Sequence, residues 1–301
     1  MDIHKIFVNM AVEHKCIGNR EFDTLGLNTS EVAVPFCTFI VDLKYAADLS
    51  PNAVVVLTSP VLKNKINCNG LCVVKDPRQV FFRLHNYLAD SKQYARKTVE
   101  TSIGKNCKIS PLASIDDNNV TIGEDVIIEE FASIKENVKI GNHCIIRAGS
   151  IIGGEGFEFK RNEQNDLFGV KHLGGVVLTD NVEIQQSVCI DRAVYPWDDT
   201  VIGANSKIDN LVHIAHGVKI GSNTMIVANS GIGGRAIIGN DCWIGFGATI
   251  RNGITIGDNA RVNMGAVVTK AVKAEDSVTG NFAIEHQRFL SNLKKSIQEN
   301  D

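Results

Sequence analysis

An aliphatic residue recurs at every sixth position over much of this chain. The longest run keeps one register through twelve such positions, from Ile202 to Val268. A second run occupies residues 103–152 and slips by one residue between Ile115 and Ile122. A period of six fits neither an amphipathic helix nor a plain alternating strand, so it predicts short strands joined by tight turns.

A small or β-branched residue follows most of these aliphatic positions by four residues. Three such units would make one triangular coil of a β-solenoid, with the aliphatic side chain inward and the small one near a corner. Crowded corners explain why the 301-residue chain has 26 glycines and only 6% aromatic residues. Cys107, Cys144 and Cys242 occupy the small-residue position, and we interpret them as buried packing residues.

The repeats divide the chain into three predicted parts. Residues 1–98 carry short β-branched runs and a helical pattern over 78–96, which predict a small α/β domain. Residues 99–273 are the predicted parallel β-helix, from which residues 153–175 leave the register as a projecting loop. Residues 274–301 form a predicted helical tail, with a helix over 282–297 that caps the β-helix or packs between subunits. The fold class is therefore mainly β, with an α/β domain before the solenoid and a helix after it.

Composition excludes several function classes. A formal net charge of −3 argues against nucleic acid as the main partner, since phosphate binding draws on clustered positive charge. We find no apolar run of transmembrane length and no secretory leader pattern at Met1. The eight cysteines do not have the spacing of a secreted disulfide framework, and we expect them to be reduced in a cytoplasmic protein.

Two histidines stand out because they lie three residues apart within one repeat. Ile214 holds the inward position, so His216 is expected at an outward or corner position beside a groove, where a neutral imidazole could accept a proton. A structural corner histidine is the alternative. Zinc is a weaker possibility, because His213 and His216 supply two ligands and no third is identifiable in register. We interpret the remaining histidines as surface or structural residues: His4, His14, His85, His143, His172 and His286.

Several motifs resemble one family over nearly the whole chain. They are TFIVDLKY at 38–45, VVKDP at 73–77, GEGFEF at 154–159, IDRA at 190–193, DTVIG at 199–203 and IDNLVHIAH at 208–216. This set is similar to the hexapeptide-repeat N-acyltransferases of lipid A synthesis, which act on UDP-3-O-(3-hydroxyacyl)glucosamine. The resemblance implies a left-handed β-helix, a homotrimer with sites between subunits, and an acyl donor in place of any tightly bound cofactor.

Carried residue by residue, the resemblance also implies roles. His216 would be the general base for the sugar amine, with Asp209 and His213 beside it, and the Gly234 amide would stabilise the oxyanion. Phe39 and Tyr45 would hold the pyrimidine of a nucleotide. The remaining substrate-binding residues implied in this way are Asp42, Glu155, Phe157, Asn210 and His213.

The chain also departs from the family pattern. Arg251-Asn252-Gly253 stands where the family has a second histidine, Asp42 replaces an asparagine, and Glu155 replaces an aspartate. The end of the repeats, at 262–270, looks more like that of sugar acetyltransferases that use coenzyme A. We therefore expect an N-acyltransferase that moves an acyl group from acyl-CoA or acyl carrier protein to a nucleotide-linked amino sugar. The alternatives are the lipid A enzyme itself, using 3-hydroxyacyl carrier protein, and a non-catalytic β-helix scaffold.

Overall fold

The computed structural model describes residues 1–28, 30–280 and 283–298 of the chain. It contains an N-terminal α/β domain, a parallel β-helix and a C-terminal helix. Among these described residues, no helix has both the length and the apolar character that crossing a bilayer requires.

The N-terminal domain packs two helices against a five-stranded sheet with the strand order β1-β5-β4-β3-β2, in which only β1 runs antiparallel to its neighbour. In chain order its elements are α1 (Ile3–Asn9), β1 (Lys15–Gly18), β2 (Thr24–Leu25), β3 (Phe36–Ile40), a 3₁₀ turn (Leu43–Tyr45), β4 (Ala53–Thr58), β5 (Gly70–Val73) and α2 (Pro77–Leu88).

Helix α2 begins where the sequence predicts but ends earlier. The Asp76 carboxylate accepts a hydrogen bond from the Gln79 amide at 2.9 Å and caps the first turn. The helix ends at Leu88 rather than at residue 96, because the chain then turns back. This turn brings the Tyr94 hydroxyl to 2.7 Å from the His85 ring, where both side chains are buried.

The repeats form the β-helix, built from short parallel strands and one inserted hairpin. The strands before and within the loop are β6 (Ser102–Ile103), β7 (Lys108–Ile109), β8 (Ser114–Ile115), β9 (Val120–Ile122), β10 (Ile127–Ile128), β11 (Ser133–Ile134), β12 (Val138–Ile140), β13 (Ile145–Ile146), β14 (Ile151–Gly154), β15 (Phe159–Arg161) and β16 (Leu167–Gly169). Those after it are β17 (Gly175–Leu178), β18 (Glu183–Ile184), β19 (Cys189–Asp191), β20 (Asp199–Ile202), β21 (Lys207–Ile208), β22 (His213–Ile214), β23 (Lys219–Ile220), β24 (Met225–Ile226), β25 (Gly231–Ile232), β26 (Ile237–Ile238), β27 (Trp243–Ile244), β28 (Thr249–Ile250), β29 (Thr255–Ile256), β30 (Arg261–Val262), β31 (Val267–Val268) and β32 (Ser277–Val278).

These strands stack into three parallel faces that enclose one aliphatic core. The first face runs from β6 to β29, the second from β7 to β32 and the third from β8 to β31. The sixth-position aliphatics stack directly on one another, as Ile190 on Ile214 and Ile214 on Ile232. They are buried along the coils except at the open N-terminal end, where Ile103 is 51% exposed because no coil precedes it.

The β-helix continues beyond its predicted end at residue 273. Strand β32 pairs with β30, so the last coil extends to Val278. The six-residue register is lost after Val268, because the next inward aliphatics are Val272 and Val278, and a count by sixes from Val268 misses both.

The projecting loop between β14 and β17 folds back onto the N-terminal domain. It contains the antiparallel hairpin β15–β16. The Asn86 side chain of α2 donates to the Gly169 carbonyl at 2.8 Å and accepts from the Lys171 amide at 3.0 Å. Because α2 lies between this loop and the five-stranded sheet, the loop is anchored to the domain as well as to the β-helix.

Two cysteines of the N-terminal domain depart from expectation. Cys16 on β1 and Cys72 on β5 are direct cross-strand partners, and their sulfur atoms are joined in a disulfide. The prediction that all eight cysteines are reduced is therefore wrong for this pair, since their contact depends on a strand register that the sequence does not reveal.

The tail contains α3 (His286–Gln298), which begins later than the predicted helix. The predicted start at Phe282 lies outside the described residues. Phe289 and Leu290 on α3 are exposed, so this part of the helix does not bury its apolar side chains within a single chain.

Candidate active site

His216 lies at the corner where the third face turns into the first. Ile214 before it and Val218 after it both point into the core, which forces the intervening residues into the turn. The Gly217 amide donates to the Thr200 hydroxyl at 2.8 Å and holds this turn against the coil below. His216 is nevertheless only 8% exposed, because other parts of the chain cover it.

Gly234 occupies the same corner one coil later and lies against the His216 ring. The Arg235 amide donates to the His216 carbonyl at 3.0 Å, which stacks the two corners. A Cβ atom at Gly234 would lie 2.8 Å from Cε1 and 2.9 Å from Nε2 of His216. The structure therefore brings together two of the predicted catalytic residues, and only glycine fits beside this ring.

Glu158 of the projecting loop is the direct partner of His216. Its Oε2 lies 3.2 Å from the ring Nε2, while Lys160 contacts its Oε1, and the carboxyl group is 12% exposed. Burial alone would raise the pKa of Glu158. Hydrogen bonds from His216 and Lys160, together with the charges of Lys160 and Arg235, outweigh burial and lower the pKa to about 2.

His172, at the far end of the same loop, packs its ring against His216. The ring centroids lie 5.5 Å apart at an interplanar angle of 70°, and His172 is 3% exposed. Burial, reinforced by electrostatic interaction with the neighbouring His216 and Arg192 side chains, lowers its pKa to about 4, so the His172 ring is neutral at pH 7. His172 is therefore not a surface residue, as one of the two interpretations had it, and lies within this cluster.

Gly156 closes the cluster from the loop side. A Cβ atom there would lie 2.9 Å from Nε2 of His172, 3.1 Å from Oδ2 of Asp191 and 3.3 Å from Cδ2 of His216. The glycine of this loop thus permits the backbone to lie directly on the buried side chains.

His213 forms a second histidine–carboxylate pair beside the first. It points outward from β22, and its Nε2 lies 3.1 Å from Oδ2 of Asp191. The hydrogen bond to Asp191 raises the pKa of His213, while partial burial opposes the shift. Asp191 also lies beneath Gly156, so this pair adjoins the His216 cluster.

A cavity of about 320 Å³ connects the N-terminal domain with this cluster. Phe39 and Tyr45 form an aromatic wall together with Phe82. The charged side chains that line this cavity belong to Arg78, Lys160, Arg235 and Glu158. Glu158 therefore lines the cavity on one side and contacts His216 on the other.

A second cavity, of about 650 Å³, shares Leu27 and Arg235 with the first. Its floor includes Tyr195 and Trp197, whose rings are stacked with centroids 5.6 Å apart. Gly217, which follows His216, also lines this cavity. The two cavities thus adjoin each other at Arg235, which directly follows Gly234 in the chain.

Asp209 and Asn210 are not part of this cluster. The Asp209 carboxylate accepts hydrogen bonds from the Asn210 amide at 2.7 Å and from the Ala228 amide at 3.1 Å. Asn210 in turn accepts from the Gln186 amide. These bonds hold the corner between the second and third faces, so the expectation that Asp209 lies beside His216 is corrected: Glu158 takes that position.

Three other expected substrate residues lie outside the cavity lining. The Asp42 carboxylate caps its own 3₁₀ turn through the Lys44 amide and pairs with the Lys44 ammonium at 3.2 Å. Glu155 is exposed and lies 3.5 Å from Arg192. Phe157 is 88% exposed at the loop surface, where it packs on Phe159.

Two residues of the cluster, Glu158 and His172, have no clear signal in the sequence. Glu158 and His172 belong to the loop that leaves the six-residue register, and register was the guide to the corner positions. Among the described residues, no three histidine, cysteine or acidic side chains form a set that could hold a metal ion.

Comparison with known proteins agrees with the architecture. Residues 119–154 and 199–234 match the family described as bacterial transferase hexapeptide (six repeats), and residues 235–270 match that described as hexapeptide repeat of succinyl-transferase. Together with the three-faced coil described above, these matches show that the chain contains hexapeptide repeats, which fold as a left-handed parallel β-helix.

Within this class the chain resembles acyltransferases. It is 31% identical to a UDP-3-O-acylglucosamine N-acyltransferase of Coxiella burnetii over 65% of this chain and 64% of that one. A protein of the same name from Anaeromyxobacter dehalogenans is 36% identical over 38% of this chain and 33% of its own. The chain thus spans less than two thirds of the length of these curated relatives.

A solved structure supports the fold independently. UDP-N-acetylglucosamine acyltransferase from Campylobacter jejuni aligns with a TM-score of 0.54 and 22% identity, covering 60% of this chain and 68% of that chain.

Proposed function

We propose that this protein is an N-acyltransferase that moves an acyl group from a thioester to the amino group of a nucleotide-linked amino sugar. The observation that carries the proposal is the position of Glu158, which joins an aromatic and cationic cavity to the buried His216–Gly234 corner. The curated relatives, named as N-acyltransferases of an acylated UDP-glucosamine, support the same reaction class.

The first cavity has the chemistry that a nucleotide sugar requires. Phe39 and Tyr45 offer faces on which a pyrimidine can stack. Arg78, Lys160 and Arg235 offer donors for a diphosphate. Asp42 contributes indirectly, because its carboxylate caps the 3₁₀ turn that carries Tyr45. The sugar then extends toward Glu158 and His216.

The reaction needs one base and one oxyanion donor. The amine nitrogen attacks the thioester carbonyl carbon, and the negative charge moves to the carbonyl oxygen, near the backbone amide of Gly234. His216 takes the proton that the amine loses. The carbon–sulfur bond then breaks, the amide forms, and the departing thiolate receives the proton from His216.

The two enzymatic functions under consideration differ in their acyl donor. Acyl-CoA is our first choice, and 3-hydroxyacyl carrier protein acting on the lipid A precursor is the alternative. The second cavity reaches Gly217, the neighbour of His216, and supports an approach of the thioester from that side.

The proposal includes a homotrimer with active sites between subunits. Met225, Phe246, Met264 and Val267 expose apolar side chains on the β-helix surface, where burial against another copy would stabilise association. Light scattering is expected to give three times the chain mass of 32.8 kDa. A single-chain mass at the assay concentration would contradict this part of the proposal.

A turnover assay with mass-spectrometric detection of the product tests the function. The panel combines UDP- and dTDP-linked amino sugars with short acyl-CoA, long acyl-CoA and 3-hydroxyacyl carrier protein. We expect an amide product with at least one nucleotide amino sugar, and the same sugar should raise the melting temperature most. If product forms only with 3-hydroxyacyl carrier protein, the protein is the lipid A enzyme. A properly folded protein that yields no product with any pair would favour the scaffold.

A further inference from the structure

The contact between Glu158 and His216 determines which ring nitrogen carries a hydrogen. A carboxylate is only an acceptor of hydrogen bonds. Nε2 of His216 lies 3.2 Å from Oε2 of Glu158, where the carboxylate attracts a ring N–H and repels a ring lone pair, so this contact places the hydrogen on Nε2. In a neutral imidazole the other nitrogen, Nδ1, then has the free lone pair.

Nδ1 of His216 is buried and has no hydrogen-bond partner among the described residues. A buried polar atom without a partner is costly, so its presence points to a group supplied by a ligand. The position that a Cβ of Gly234 would occupy lies 3.3 Å from Nδ1. Gly234, to which the proposed function assigns the oxyanion, therefore lies next to the part of the ring that carries both nitrogens, with Nε2 at 2.9 Å from the same position.

The Glu158 carboxylate is itself held in place. Lys160 contacts Oε1, and the Lys160 ammonium also lies 4.6 Å above the centroid of the Phe82 ring. Because Phe82 belongs to α2, the N-terminal domain helps to fix the position of Glu158. The titratable and charged groups around the His216 ring are Glu158, Lys160, His172, Asp191, Arg192 and Arg235.

We propose that Glu158 is the positioning residue for His216: it holds the hydrogen on Nε2 and thereby makes Nδ1 the nitrogen that accepts the proton from the amine. The inference rests on the proposed function for its chemical step. During the reaction the amine proton moves to Nδ1, and the resulting imidazolium is stabilised by Glu158 at Nε2. When the thiolate leaves, the same proton moves from Nδ1 to sulfur.

The protonation state can be measured without any substrate. Long-range ¹H–¹⁵N spectra of the full-length protein labelled at histidine distinguish protonated from unprotonated ring nitrogens, with His216→Gln to assign the signals. We expect His216 to be protonated at Nε2 and free at Nδ1 near neutral pH. Glu158→Ala should shift the ring toward a mixture of both tautomers.

Kinetics provide the second readout. Glu158→Ala is expected to lower kcat about 10- to 100-fold, and Glu158→Gln less, because an amide oxygen still accepts from Nε2. The acid limb of the pH–rate profile should move to lower pH in both variants, since the imidazolium loses its neighbouring negative charge. Glu163→Gln, an exposed carboxylate of the same loop that lies 3.4 Å from Lys75, is the matched control and should leave tautomer, rate and profile unchanged.

The outcomes separate this inference from the function on which it rests. An Nδ1-protonated His216 in the unmodified protein, or unchanged kcat and pH profile in Glu158→Ala, would overturn the positioning role even if acyl transfer is observed. If no acyl transfer is found with any donor, the proposed function fails, while the tautomer and its dependence on Glu158 still support or refute the assignment of the ring nitrogens.

Discussion

At the scale of single residues, the candidate site depends on two glycines that leave room for the histidine rings. Gly234 lies against the His216 ring, Gly156 lies against both His172 and His216, and neither position has room for a Cβ atom. The His216 ring is therefore confined by two segments of backbone, those of Gly156 and Gly234. Such confinement orients a base without requiring a network of bonded side chains.

Gly234→Ala is expected to lower acyl transfer about 100-fold, because the added methyl group must displace the His216 ring. Gly231→Ala, in the same repeat, is the matched control, since a Cβ atom there meets nothing within 4 Å. Steady-state kinetics of the two variants provide the comparison. Equal activity would mean that the ring position at this corner does not matter to the reaction.

Burial of two neutral histidines predicts a dependence of stability on pH. The pKa values of His85 and His172 are lowered to about 4 by burial, whereas an unfolded histidine titrates near 6.5. Between these values the unfolded chain binds more protons, so the free energy of unfolding falls as pH falls from 6.5 to 4. Urea unfolding of His172→Gln should show a shallower decline across this window, and an identical decline would contradict the shifted pKa.

The corner position of His216 could be predicted from the six-residue register, whereas Gly234 was implied by the family resemblance. Glu158 and His172 could not be predicted, since they reach the site through a loop whose path depends on tertiary contacts. Asp209, in contrast, was predicted to be part of the site but lies outside it. Its neighbourhood in sequence suggested a role beside His216, but its carboxylate serves the preceding corner of the coil.

At the scale of elements, the projecting loop connects the two halves of the site. Gly156 and Glu158 contact the histidines, and the β15–β16 hairpin lies against α2. The chain then returns to the β-helix at β17. The register break predicted this excursion, because the aliphatic period stops there. Its contact with α2 was not predictable, since nothing periodic links the two segments.

Gly156→Ala tests whether the seating of this loop matters. The added methyl group would meet His172, Asp191 and His216, so the loop must lift and carry Glu158 away from the ring. We expect at least a 10-fold loss of acyl transfer. Gly154→Ala, whose Cβ would make only an ordinary contact with Ile151 at 3.5 Å, should remain active. Comparable activity of both variants would show that the loop contact is dispensable.

At the scale of the whole molecule, the N-terminal domain is fastened to the β-helix at the site. The Trp197 indole donates to the Leu25 carbonyl at 2.7 Å, and Arg96 pairs with Asp199 at 2.7 Å. The repeat predicted the solenoid almost completely, and short apolar runs predicted the α/β domain. Their relative placement could not be predicted, because it depends on long-range contacts of this kind.

The central claim is that a nucleotide amino sugar held against the N-terminal domain is acylated through His216. Its most direct test is the rate of amide formation by His216→Ala beside the unmodified protein, with binding of the same nucleotide sugar measured for both by thermal shift. We predict at least a 100-fold loss of rate in His216→Ala with nucleotide binding retained. Amide formation by His216→Ala at the unmodified rate would contradict the account.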